Sequence, residues 1–153
     1  MDDLRLQCEK DLEVDGTGRD IYLPAASFTD WNKALTLLTA RYRAQLLIDN
    51  KVSNFVLSGE DLFKISKTHT PTISFEINGV DFRLFFHDEK WLDFTVWPEQ
   101  IQSPEGFETL LNFMSEIGNA LNVSVWLTPE GRPDSPFLKY DHSDQTHRPV
   151  APQ

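Results

Sequence analysis

Apolar and polar positions alternate most regularly in the middle of the chain. Ile73, Phe75 and Ile77 interleave with Thr72, Ser74 and Glu76, and Val80, Phe82, Leu84 and Phe86 interleave with Asp81, Arg83, Phe85 and His87. Residues two apart share one face of a strand, so both runs read as strands with one apolar face. Between them stands Asn78-Gly79, a pair that suits the left-handed backbone of a two-residue hairpin turn. That turn pairs Ile77 with Val80, Phe75 with Phe82 and Ile73 with Leu84, so the register and the apolar pattern agree. Leu92, Phe94 and Val96 form a third run after Asp88-Glu89-Lys90. A three-residue loop there pairs Phe86 with Leu92, Leu84 with Phe94 and Phe82 with Val96. The expectation is a meander over 72–78, 80–87 and 91–97.

Two other stretches carry a helical period. Ser27-Phe28-Thr29-Asp30 has the form of a capping box. It opens a stripe of Trp31, Leu35, Leu38, Tyr42 and Leu46, widened by Ala34 and Leu37, which predicts a helix over about 28–48. Ser103-Pro104-Glu105 supplies a cap, a proline in the first turn and an early acid. The stripe Phe107, Leu110, Leu111, Met114, Ile117 and Leu121 then predicts a second helix over about 104–121.

Weaker signals fill the rest. Leu12–Val14 and Ile21–Leu23 flank a glycine-rich turn and read as a hairpin. A strand or turn near Val52–Leu57 precedes a short helix that runs from Ser58-Gly59-Glu60-Asp61 through Ile65. Val123–Leu127 reads as a strand, 128–136 as a loop and Phe137–Tyr140 as an edge segment. Residues 141–153 read as a polar, proline-containing tail that frays. The sum is an α+β fold in a single domain over 1–140: a mainly antiparallel sheet with a central β-meander (about 72–97) and two principal helices.

Composition narrows the function classes. The chain has 153 residues, with 24 acids against 14 bases, a formal charge of −10, and 40% apolar residues, among them eleven Phe and four Trp. That is too apolar for a disordered chain. The acidity argues against nucleic acid, which needs clustered Lys and Arg. The single cysteine, Cys8, rules out an internal disulfide and a Cys-based zinc cluster. Met1-Asp2-Asp3-Leu4-Arg5 lacks the basic and apolar regions of a signal peptide, and no apolar run is long enough to span a membrane. A cytoplasmic location with no membrane partner is expected. The charge is uneven: 1–23 and 68–102 each carry net −4, 103–121 carries −3 with no base, and 24–57 carries +2.

If Phe82, Leu84, Phe86, Phe94 and Val96 face the core, then Glu76, Asp81, Arg83, Phe85, His87, Trp91, Asp93, Thr95 and Trp97 face the other way. Trp126 joins them if Val123, Val125 and Leu127 are core. Aromatic groups bury much area for little rotamer entropy, so Phe85, Trp91, Trp97 and Trp126, with Asp93, are candidate partner contacts. The alternative is that a helix or the N-terminal hairpin covers this face as a second core layer. Glu105, Glu108 and Glu116 offer a second acidic contact surface on the later helix.

Catalytic patterns are wanting. Cys8 lies among carboxylates that would raise its pKa. No Gly-x-Ser-x-Gly elbow and no His-Glu-x-x-His pair occurs. Asp11, Glu13, Asp15 and Gly16 imitate the start of a calcium loop, but its last ligand position falls on Tyr22. His87 with Glu89 gives two possible metal ligands, which are not a site. Asp81 and Asp93 form a carboxylate pair on the sheet face, with Arg83 between them. No cofactor is implied.

Several stretches together carry a resemblance: Arg19-Asp20-Ile21-Tyr22; Phe85-Phe86-His87; Leu92-Asp93-Phe94 leading to Pro98-Glu99-Gln100-Ile101; Phe107-x-x-Leu110-Leu111-x-Phe113-Met114-x-x-Ile117-Gly118; and Leu127-Thr128-Pro129-Glu130. Over about 15–140 the chain resembles small uncharacterised bacterial α+β proteins similar in size and acidity to immunity proteins of polymorphic toxin systems. The resemblance implies a non-enzymatic protein that binds and occludes a basic toxin domain. The alternatives are a small enzyme or ligand-binding domain using Asp81, His87 and Asp93 over an aromatic pocket, or a homodimer subunit that buries the aromatic face.

Overall fold

A computed structural model describes residues 2–54 and 58–151. Its elements are α1 (Asp2–Gln7), β1 (Arg19–Pro24), α2 (Phe28–Tyr42), β2 (Gln45–Ile48), β3 (Lys51–Ser53), α3 (Gly59–Ile65), β4 (Pro71–Ile77), β5 (Val80–Asp88), β6 (Trp91–Val96), α4 (Pro104–Leu121), β7 (Val125–Pro129), β8 (Leu138–Asp141) and β9 (Thr146–Pro149). The strands form one antiparallel sheet in the order β3-β2-β4-β5-β6-β1-β7-β8-β9. The fold is α+β, as the sequence predicts.

The first hairpin of the meander is as read. Ile77 pairs with Val80, Phe75 with Phe82 and Ile73 with Leu84. Asn78 and Gly79 both take positive φ, as their two-residue turn requires. Leu84 pairs with Phe94, but the register slips between Phe85 and Asp88, and Asp88 pairs with Trp91. A bulge therefore replaces the expected three-residue loop. It leaves His87 and Asp88 both exposed in succession, where strict alternation would bury one.

One face of the sheet carries the core. Phe113 of α4 lies 4.6 Å from Phe82, 5.1 Å from Phe94 and 5.5 Å from Phe75, ring centre to ring centre. Trp31 of α2 stacks on Phe86 at 5.2 Å and donates its indole N–H to the Glu89 carbonyl at 2.7 Å. That bond ties the β5–β6 tip to the helix layer.

Three expectations need correction. The first helix ends at Tyr42 and not near residue 48, because Arg43 turns left-handed (φ 53°) and its N–H bonds the Leu38 carbonyl. Leu46, four residues after Tyr42, fits a helical stripe, but it lies in β2 opposite Ile73. Pairing with β4 wins over the helical period there. The hairpin over 12–23 does not form either. Residues 11–18 instead wrap the Arg19 guanidinium, which donates to the carbonyls of Asp11, Glu13, Thr17 and Gly18. A side chain thus satisfies carbonyls that a ladder would have used. The partners of β1 are β6 and β7. Finally, the polar tail is not all frayed: Thr146–Pro149 pairs with β8, which makes β8 an inner strand. Of the segment Val52–Leu57, Val52 and Ser53 belong to β3, and 55–57 lie outside the described residues.

Candidate functional site

Insertion of β1 between β6 and β7 assembles the second face. Cross-strand partners place Thr72, Phe85, Asp93, Tyr22, Trp126, Lys139 and Arg148 in one row across seven strands. The next row holds Ser74, Arg83, Thr95, Asp20 and Thr128. Among the described residues, strands and loops and no helix line the middle of the first row. There the face sinks into a cleft of about 710 Å³, lined by Tyr22, His87, Asp88, Trp91, Asp93, Trp126, Pro133, Asp134 and Pro136.

Two devices build its walls. The β5 bulge turns His87 and Asp88 toward it on one side. On the other, the β7–β8 loop folds back. Gly131, at φ 71°, donates its N–H to Asp20 Oδ2 at 2.9 Å, and the Gly18 N–H donates to Glu130 Oε2 at 2.9 Å. Glycine takes that backbone conformation without strain. The Phe137 N–H closes the loop on the Leu127 carbonyl at 3.0 Å. Pro133 and Pro136 stiffen it.

A carboxylate of the floor, Asp93, and a second one row away, Asp20, are both buried. Asp20 and Asp93 are 5% and 9% exposed. Both oxygens of Asp20 are engaged: Oδ1 accepts from the Thr95 hydroxyl at 3.0 Å, and Oδ2 accepts from Gly131 and, at 3.4 Å, from the Tyr22 hydroxyl. Burial raises its pKa despite these bonds. Asp93 is less well served. Its Oδ1 is buried without a hydrogen-bond partner among the described residues, and Oδ2 stands 4.0 Å from His87 Nε2. Burial, and then the charge of Asp20, push the Asp93 carboxyl up to about 7, against a lowering by Tyr22. Burial and the two carboxylates raise the Tyr22 hydroxyl, which stays protonated as a donor.

The candidate residues separate into groups. Trp91, Asp93 and Trp126 meet in the cleft, with Trp91 42% exposed and Trp126 half-buried. Phe85 adjoins it on the same face and stacks on His87, ring centres 5.6 Å apart. Trp97 stands at the other end of β6 beside Gly18, roughly 20 Å along the strand from Trp91. Glu105 and Glu108 are exposed on α4, on the opposite side of the sheet. Glu116 is already occupied: it accepts from the Tyr42 hydroxyl and pairs with Arg41 Nε at 2.5 Å. Asp81 does not join Asp93. It is held by Gln100, which donates to its Oδ2 at 2.8 Å. The carboxylate next to Asp93 is Asp20. Sequence reasoning missed both Asp20 and Tyr22, although alternation with Ile21 and Leu23 could have placed them on this face.

Cys8 is fully buried, and its thiol is pushed up to about 11 by burial first and Asp11 second. It is a poor nucleophile. His147, expected in a loose tail, is half-buried and bonded to the Leu111 carbonyl at 2.8 Å. No helix among the described residues is long and apolar enough to cross a membrane. No protein-family model, curated protein or solved structure matches the chain significantly.

Proposed function

We propose that the chain is a non-enzymatic protein-binding domain of the immunity type, which occludes a basic toxin domain with the second face of its sheet. The observation that carries this reading is the cleft itself: an aromatic-walled depression with a buried, under-bonded carboxylate at its floor and, among the described residues, no Lys or Arg in its lining. Interfaces draw their strength from a few aromatic anchors that exclude water, and Trp91 and Trp126 stand where such anchors are needed. Phe85 and Trp97 extend the contact along the face. The net charge of −10 favours encounter with a basic surface.

Calorimetric titration against the product of the adjacent gene tests this. Binding is expected at low salt, weakening steadily as ionic strength rises past about 0.15 M. No binding at low salt overturns the reading.

One observation favours a second reading. A carboxyl that titrates at about 7 beside His87, in a half-open cleft, is also suited to proton transfer in a small-molecule site. A small metabolite that binds in the cleft and is turned over, in the absence of any protein partner, would select that reading instead.

A further inference from the structure

We infer that the cleft is a subsite for one arginine side chain of the protein partner, whose guanidinium pairs with Asp93 against the aromatic wall. The inference rests on the protein-binding reading and deepens it. Its starting point is the difference between two buried carboxylates, Asp93 in the cleft floor and Asp20 in the next row. Asp20 spends both oxygens on Thr95, Gly131 and Tyr22 and so holds the cleft together. Asp93 Oδ1 has no such bond, although Asp93 is nine-tenths buried and lines the cleft. A buried carboxylate short of donors costs free energy, and a cation that reaches its other oxygen, Oδ2, from the cleft offsets part of that cost.

The surroundings select a cationic donor. Around Asp93 stand Tyr22 from β1 with Asp20 one row away, His87 and Asp88 from β5 with Arg83 one row away, and Asp134 from the β7–β8 loop. Lys139 of β8 lies over the Trp126 ring, its Nζ 5.4 Å from the ring centre, so this ring already accepts a cation. The acids of the lining are Asp88, Asp93 and Asp134. The aromatic and proline walls favour guanidinium over ammonium. Guanidinium is planar, stacks on rings, is less strongly hydrated and spreads five donors across separated acceptors. A volume of about 710 Å³ holds the side chain together with its flanking backbone.

An isotope-labelled chain titrated by NMR with N-acetyl-arginine methylamide, and with its lysine and citrulline counterparts, tests the subsite. Arginine is expected to shift the indole signals of Trp91 and Trp126 and the Asp93 amide. It should bind at least about tenfold more tightly than uncharged citrulline, and more tightly than lysine. Its affinity should rise severalfold between about pH 5.5 and pH 8, as Asp93 gives up its proton. Asp93→Asn should remove the advantage over citrulline with the rest of the spectrum native, and Trp126→Leu should weaken arginine severalfold. Equal binding of arginine and citrulline, shifts away from the cleft, or an unchanged advantage in Asp93→Asn would overturn the subsite, even where the protein partner still binds. If free arginine binds the cleft but no protein occupies the face at low salt, the assignment to a partner's side chain is overturned.

Discussion

Asp93 sits in a position that a carboxylate occupies only at a cost. Its carboxyl titrates near 7 when folded, against an ordinary value below 4, so the folded chain keeps a proton that the unfolded chain releases in that window. Stability therefore falls as pH rises from about 4 to about 7 and levels off above. Asp20, also raised by burial, adds in the same direction. Asp93→Asn cannot ionise. It is expected to match the native chain near pH 4 and to exceed it by about 2 kcal/mol at pH 8, measured by chemical denaturation at both pH values. No gain at pH 8 would mean that Asp93 is better solvated than its burial indicates. Asp93 was legible in the sequence, because strict alternation with Leu92 and Phe94 fixes its side of the strand. Its neighbour was not. Asp81 is closer in sequence and lies on the same face, yet the partner of Asp93 comes from a strand seventy residues earlier, brought in by pairing that no local pattern encodes.

At the scale of elements, what is local was readable and what is tertiary was not. The Asn78-Gly79 hairpin and α4 carry their own turn, cap and period, and both stand where expected. The end of α2 and the fate of residues 11–18 depend on contacts far along the chain: the β4 edge in one case, the Arg19 side chain in the other. Arg19 is 4% exposed and bonds four backbone carbonyls. Arg19→Ala leaves these without their donor and is expected to cost about 2–4 kcal/mol in equilibrium unfolding. Its amide-exchange protection should fall first in β1. Phe113 joins α4 to three strands through Phe75, Phe82 and Phe94. Phe113→Ala is expected to cost about 3–5 kcal/mol by the same measurement, with the meander and α4 loosening together. A loss below about 1 kcal/mol would mean that the helix layer contributes little to the sheet.

The whole molecule is a sheet with two unlike faces. One carries the helices and the apolar core. The other carries the row of aromatic and charged groups with the cleft at its middle. The division between them was legible from alternation alone. The depression was not, since it needs the β5 bulge, the inserted β1 and the folded-back β7–β8 loop together. The charge distribution also reads differently in three dimensions. Glu116 of α4 pairs with Arg41 at the end of α2, so the acidity of that helix is partly neutralised there. Among the described residues, the acids of the cleft have no Lys or Arg within its lining.

The central claim, that the second face and not the α4 surface meets the partner, is tested most directly by comparing two double variants against the adjacent gene product. Trp91→Ala with Trp126→Ala is expected to weaken binding by at least about a hundredfold, while Glu105→Gln with Glu108→Gln changes it by less than about threefold. Unimpaired binding by the tryptophan variant, or a large loss confined to the glutamate variant, would contradict the account.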